Sequence, residues 1–153
     1  MFKSLLLSIS LIAGFSTSAA AQERQWTLDA GDEDAYLIFG VPESDDVGIS
    51  FWCTIQSGEI SIFVPEADPT MKPGITVPFT ITAGKTTAKL RGKTTANEEA
   101  ESISLETKIA DSNPIFAAMK QVDRFKVKVG SEENIFPLID ADVARLLALC
   151  KKP

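Results

Sequence analysis

The chain has 153 residues, with 15 basic and 21 acidic side chains and no histidine, and its net charge is −6. This acidity argues against nucleic acid as a partner, because domains that bind nucleic acid are usually basic. The absence of histidine excludes every Ser-His or Cys-His nucleophile pair and removes the commonest metal ligand.

The first 21 residues have the composition of a secretory signal peptide. Lys3 supplies a positive charge, Leu5 to Phe15 is an apolar segment too short to span a bilayer, and Ala19-Ala20-Ala21 fits a cleavage site. The sequence therefore predicts a single mature domain, residues 22–153, outside the cytoplasm. No later apolar run approaches the roughly 20 residues of a membrane helix, so no membrane span is expected.

Charge is sorted along the predicted mature chain. Residues 22–71 carry eleven acids and one base, Arg24, whereas residues 72–93 carry five bases and no acid. Residues 94–123 are again acidic, and residues 124–130 are basic. We therefore expect a folded surface with separate acidic and basic regions.

Short β-strands are predicted along most of the mature chain, because apolar and polar residues alternate with a period of two. Eight or nine strands are enough for an antiparallel β-sandwich or a partly open barrel, and we expect one of these two mainly β folds. The predicted strands cover residues 25–29, 36–40, 47–54, 60–64, 75–81, 86–90, 102–109, 124–130 and 134–138.

A hairpin with a two-residue turn is predicted at Ser57-Gly58. In that register Cys53 falls opposite Ile62, and the apolar faces of the two strands coincide. Trp52 and Phe63 then become cross-strand neighbours on the opposite face. Such an aromatic pair is either part of a second core layer, under a helix or the N-terminal strand, or a docking patch for a partner or ligand.

A second hairpin is predicted around Ala83-Gly84, and its first strand contains Pro78. Since proline cannot donate a hydrogen bond to a ladder, this strand is expected at a sheet edge or at a bulge. Its inward-facing residues are predicted to be Ile75, Val77, Phe79 and Ile81.

Basic side chains are predicted to point outward from two strands. They either protect a sheet edge from pairing with another chain or bind an anionic partner such as a lipid headgroup, a cell-wall polymer or an acidic protein surface. The first group is Lys85, Lys89, Arg91 and Lys93, and the second is Lys126 and Lys128.

Two short helices are predicted in the second half of the chain. Asn113 is suited to cap a helix that starts at Pro114. A second helix, opening at Asp140, places Val143, Leu146, Leu147 and Cys150 on one apolar face. The only two cysteines, Cys53 and Cys150, thus both lie on predicted buried faces. In an oxidising compartment a disulfide between them is expected, and it would clamp the C-terminal helix onto the sheet.

No catalytic residue, metal site or cofactor is predicted from motifs. The chain has no glycine-rich phosphate loop and no nucleophile elbow, and two cysteines in a disulfide cannot act in thiol catalysis or bind zinc. The acidic segments 29–34 and 43–46 match no known calcium loop and are interpreted as solvated turns. A pair of carboxylates or a Ser-Lys arrangement is what remains as a basis for an enzyme.

Several short segments resemble small uncharacterised secreted proteins of Gram-negative bacteria. They are the run from Tyr36 to Asp46, Phe51-Trp52-Cys53, Phe136-Pro137-Leu138 and the helix end Leu149-Cys150. The resemblance implies a periplasmic location and supports the pairing of Cys53 with Cys150, and it implies no activity.

These observations predict a non-catalytic periplasmic or secreted protein that binds a partner or assists the cell envelope. The partner is expected to be an unknown protein or an anionic envelope component. Two alternatives stay open: an inhibitor of a cell-wall hydrolase, by analogy with other small all-β periplasmic proteins, and a hydrolase that uses carboxylates.

Overall fold

A computed structural model describes residues 23–98 and 101–153, so the predicted signal peptide lies outside the described residues. The described chain forms nine strands and two helices. The strands are β1 (Gln25–Ala30), β2 (Asp34–Gly40), β3 (Val47–Thr54), β4 (Glu59–Val64), β5 (Thr76–Ala83), β6 (Thr86–Asn97), β7 (Ser102–Ala110), β8 (Arg124–Val129) and β9 (Glu132–Pro137), and the helices are α1 (Pro114–Met119) and α2 (Val143–Cys150).

All nine strands belong to one antiparallel sheet, with the order β1-β2-β3-β4-β7-β6-β5-β8-β9. The sheet curls into a half-barrel, with β1 and β9 at its two edges. The prediction of a mainly β protein with two short helices is confirmed, and of the two expected architectures the chain adopts the partly open barrel.

The inner face of the sheet carries the core, because the alternating apolar residues of each strand point to that side. Aromatic rings from both ends of the sheet meet there: the ring centroid of Phe125 in β8 lies 5.9 Å from that of Phe51 in β3. Phe136 in β9 lies 5.9 Å from Phe39 in β2. Other buried members include Leu37, Ile49, Ile60, Ile62, Val64, Phe79, Ile81, Leu105 and Val127.

Both helices begin at a capping side chain. Asn113 accepts a hydrogen bond from the backbone N–H of Ile115, and Pro114 occupies the first helical position, as predicted. The second helix begins later than expected, at Val143. Asp142 is its cap and accepts from the N–H of Arg145 at 3.1 Å, whereas Asp140 has a left-handed φ of 64°. No helix of the described residues is long and apolar enough to cross a membrane.

The predicted disulfide between Cys53 and Cys150 is present and links the C-terminal helix to β3. Both cysteines are buried. Two backbone hydrogen bonds reinforce the link, because the N–H of Gln56 donates to the carbonyl of Leu149 and that of Gly58 donates to the carbonyl of Cys150. A structural disulfide fits an oxidising compartment.

The predicted register of the β3–β4 hairpin is wrong by two residues. Ile62 lies opposite Phe51, whereas the prediction placed it opposite Cys53. The connection runs from residue 55 to 58 instead of using Ser57-Gly58 alone, and Gln56 adopts a left-handed φ of 62° within it. A shift of two residues keeps every side chain on its predicted face.

Two details of the second hairpin also differ from expectation. Its turn is Gly84-Lys85, since Ala83 pairs with Thr86. Ile75 precedes β5 and is 44% exposed instead of facing the core. Pro78 lies neither in an edge strand nor at a bulge: β5 is paired on both sides, but its ladder with β8 starts at Phe79. Pro78 therefore has a strand neighbour on the β6 side alone.

Candidate functional site

The outer face of the sheet is covered by neither of the described helices. The ring centroid of Phe116 in α1 lies 6.3 Å from that of Phe51, which points to the inner face, and α2 is bonded to the inward-facing Cys53. β1 pairs side by side with β2 and therefore covers nothing either. The interpretation that a helix or the N-terminal strand covers Trp52 is wrong.

The predicted aromatic pair of Trp52 and Phe63 is replaced by a different arrangement on the same outer face. Trp52 lies opposite Ser61, and Phe63 lies opposite Ser50, so the two aromatic residues are diagonal neighbours. Trp52 instead pairs across β2 with Tyr36, and the two rings lie 5.9 Å apart at an angle of 18°. Sequence reasoning missed Tyr36 because its contact depends on the register across the loop between β2 and β3.

The two serines on this part of the outer face are buried, and each lies opposite an aromatic residue. Ser61 is 3% exposed and pairs with Trp52, and Ser50 is 9% exposed and pairs with Phe63. Trp52 and Phe63 are both half-buried, whereas Tyr36 is 37% exposed. Part of the surface of Trp52 and Phe63 is therefore used in local packing.

Five of the six predicted basic residues come together on the outer face of β6, β5 and β8. Lys89 lies opposite Thr80 of β5, and Thr80 lies opposite Lys128 of β8. We call this surface the basic face and define it by Lys89, Arg91, Lys93, Lys126 and Lys128. Lys85 does not belong to it: it lies in the turn between β5 and β6 and lines a hollow beside α1.

The cations of the basic face differ in whether their strand is paired on both sides. Lys126 and Lys128 of β8 lie opposite residues of both β5 and β9, so the interpretation of edge protection is wrong for these two. The ladder between β6 and β7 covers residues 93–97, so Lys89 and Arg91 lie in a part of β6 that is paired with β5 alone. For Lys89 and Arg91, edge protection stays an interpretation beside the binding of an anionic partner.

Two carboxylates lie beside the basic face, and β5, β6 and β8 contain no Asp or Glu of their own. Glu133 of β9 lies opposite Lys128 and forms an ion pair with Lys126 at 3.3 Å. Glu106 of β7 lies opposite Lys93. Among the described residues, no ion pair involves Lys89 or Lys128. The face keeps a local excess of positive charge on a protein with a net negative charge.

A shallow hollow lies between the two central lysines of the basic face. Its volume is about 350 Å³, and Thr80, Lys89 and Lys128 line it together with Pro78 and Leu90. Adjacent strands are about 4.8 Å apart, so the backbones of Lys89 and Lys128 are separated by about 10 Å across Thr80. Two ammonium groups and a hydroxyl can thus converge on one anionic group.

One carboxylate of the described residues, Asp68, is buried, and it has a structural role. It lies in the connection between β4 and β5 and accepts hydrogen bonds from the hydroxyl and N–H of Thr70. It also accepts from the N–H and hydroxyl of Ser131, each at 3.0 Å, in the turn between β8 and β9. The Thr70 hydroxyl above all, with these other donors, holds the pKa of Asp68 well below its usual range.

Other carboxylates line open surfaces. Glu66, Glu101 and Glu132 surround a hollow of about 330 Å³, and all three are exposed. Within residues 23–98 and 101–153, no group of three or more acidic or cysteine side chains is placed to hold a metal ion.

Comparison with protein-family models, with curated proteins and with solved structures gives no match for this chain.

Proposed function

We propose that this protein is a non-catalytic binding protein of the periplasm or the extracellular space, and that its basic face binds an anionic partner. The single observation that carries the proposal is the position of Lys89 and Lys128 on either side of Thr80, on strands that contain no acidic residue. Neither lysine forms an ion pair among the described residues, and surface lysines of this kind attract anions through their field.

The location rests on two observations. The apolar segment near the start of the chain has the features of a signal peptide, and the disulfide between Cys53 and Cys150 is typical of an oxidising compartment. The resemblance to secreted proteins of Gram-negative bacteria supports the periplasm.

The alternative of a hydrolase that uses carboxylates receives less support. A glycosidase needs one carboxyl group with a raised pKa beside a second carboxylate in a cleft. Asp68 has the opposite environment, because its hydrogen bonds favour the ionised form. The glutamates at the open hollow lie in contact with solvent.

The proposal is tested by pull-down from a periplasmic extract with the mature protein as bait. We expect the double variant Lys89→Glu, Arg91→Glu to capture much less of the partner, and capture by the wild-type protein to decrease as salt is added. The melting temperature of the double variant should stay nearly unchanged, because both side chains are exposed.

The matched control is Arg145→Glu, which also reverses an exposed cation but lies on α2 beside β2 and β3. This variant should capture as much of the partner as the wild-type protein does. Trp52→Ala tests the second predicted site, which consists of the aromatic residues. If this variant loses capture, and capture by the wild-type protein depends little on salt, the binding site lies at the aromatic residues and not at the basic face.

A further inference from the structure

We infer that the ligand of the basic face is a linear polyanion that lies along β6, with successive anionic groups beside Lys89, Arg91 and Lys93. This inference rests on the proposed function, because it identifies the chemical class of partner for the same surface. It also specifies the strand along which the ligand lies and the length over which the two are in contact.

The direction comes from the geometry of one strand. Alternate residues of β6 point to the same face, so Lys89, Arg91 and Lys93 form a row with about 6.8 Å between neighbours. The row measures about 14 Å from Lys89 to Lys93. All three side chains are exposed.

A single small anion does not match this row, because one phosphate or carboxylate reaches the hollow between Lys89 and Lys128 but cannot also contact Lys93. A chain with repeated charges contacts the whole row. Threonines at outward positions of β5 and β6 add hydroxyl donors beside it, and these are Thr76, Thr80, Thr82, Thr87 and Thr95.

A membrane surface matches the basic face less well. The outward positions of β5, β6 and β8 hold threonine, lysine, arginine, Asn97 and Pro78. The exposed apolar side chains that border the face, Ile75 before β5 and Ile135 opposite Lys126, belong to different segments at its margins and form no continuous apolar strip to insert between lipids. The face is also on the outside of a curled sheet, so a flat surface touches only a narrow strip of it.

A flexible polymer can follow one strand of a curved surface. Because the rest of the protein is acidic, the polymer is repelled elsewhere and is held to the line of β6. Charge complementarity therefore favours a linear polyanion over a lipid bilayer.

The test measures binding of glutamate oligomers of increasing length by calorimetry at low salt, with free glutamate and inorganic phosphate as small-anion probes. Affinity should rise steeply until the oligomer has about five residues, the length that spans 14 Å at 3.4 Å per residue, and slowly beyond that. Lys89→Gln, Arg91→Gln and Lys93→Gln should each weaken binding about two- to five-fold.

Affinity falls as salt is added, so the slope of log affinity against log salt is negative. Each of these three substitutions should reduce the magnitude of that slope by about 0.7, as for single-stranded polyanions. Arg145→Gln is the matched control and should change neither the affinity nor the slope. A slope that stays the same in all three variants would overturn the placement along β6.

The remaining outcomes separate this inference from the proposed function. Equal affinity for phosphate and for the longest oligomer overturns the polyanion and leaves an anion-binding protein. Tighter binding to phosphatidylglycerol vesicles than to any oligomer also overturns it, in favour of a membrane surface. If neither oligomers, phosphate nor vesicles bind, the anionic partner of the proposed function is rejected as well.

Discussion

The indole Nε1 of Trp26 donates a hydrogen bond of 2.6 Å to the carbonyl oxygen of Pro137. Trp26 belongs to β1 and Pro137 to β9, so this bond joins the two edge strands of the open half-barrel. No ladder is formed between these strands. The side chain of Trp26 therefore links β1 to β9 across the opening of the half-barrel, where no strand pairing joins them.

Trp26→Phe should destabilise the protein by about 1 to 2 kcal/mol, because it removes the hydrogen bond and leaves the Pro137 carbonyl without this donor. Trp26→Ala should cost about 3 to 5 kcal/mol, since the ring packs against Phe39, Phe51 and Phe125. Urea unfolding of the two variants measures both values. A Trp26→Phe variant as stable as the wild-type protein would show that the hydrogen bond contributes nothing, and equal losses for the two variants would show that the ring packing contributes nothing.

Asp68→Asn should destabilise the protein and flatten the dependence of its stability on acid pH. In the unfolded chain the pKa of an aspartate is about 3.9, and folding lowers the pKa of Asp68. Its ionised form thus stabilises the fold above that pH, and the contribution is lost as the pH falls through the lower folded pKa. Urea unfolding at a series of pH values below about 5 measures the difference. Asp32→Asn, which also removes a carboxylate but at an exposed position, is the control and should leave the free energy of unfolding at neutral pH nearly unchanged.

Replacing Cys53 and Cys150 together by alanine should lower the free energy of unfolding by about 2 to 5 kcal/mol, as expected for a disulfide that closes a long loop. The sequence separation of the two residues is 97. Chemical denaturation of the double variant, beside the wild-type protein with and without reductant, measures this loss. A variant as stable as the oxidised wild-type protein would contradict the prediction.

Tyr36 and Trp52 should show a favourable coupling energy of about 0.5 to 1.5 kcal/mol in a double-mutant cycle, because their rings are stacked across two strands. The cycle uses Tyr36→Ala, Trp52→Ala and the double variant. Trp52 with Ile109, which lies on the inner face of β7, provides a pair that should be additive. Additive losses for Tyr36 and Trp52 would show that the stack is without energetic effect.

The alternation of residues in the sequence was sufficient to predict the inner face at Cys53, Phe51, Ile62 and Phe79, but not at Ile75, which precedes its strand. With Cys53 and Cys150 as the only two cysteines, the buried face at each was enough to predict their disulfide. The alternation was not sufficient for the register of β3 against β4. That register depends on a turn in which Gln56 and Gly58 donate to carbonyls of α2. These bonds connect segments about 90 residues apart, so no local turn pattern reveals them.

For the candidate site too, the local sequence predicts one part of the arrangement, and the tertiary structure determines the rest. Outward exposure of Lys89 and Arg91 follows from the period of two in β6. Which basic residues lie between two paired strands depends on how far each ladder extends, and this is set by tertiary packing. The sequence therefore supplied the residues of the basic face but left open which of them lay beside an unpaired part of a strand.

Two ladders of the sheet join strands that are distant in sequence, and they bear on the order of folding. Consecutive strands pair from β1 to β4 and from β5 to β7, whereas Glu59 of β4 pairs with Ala110 of β7 and Phe79 of β5 pairs with Val129 of β8. Closing these longer loops costs entropy before any contact is gained. We therefore expect the ladders between consecutive strands to form early and the β4–β7 and β5–β8 ladders to form late. Substitutions within either late ladder should then accelerate unfolding more than they slow folding.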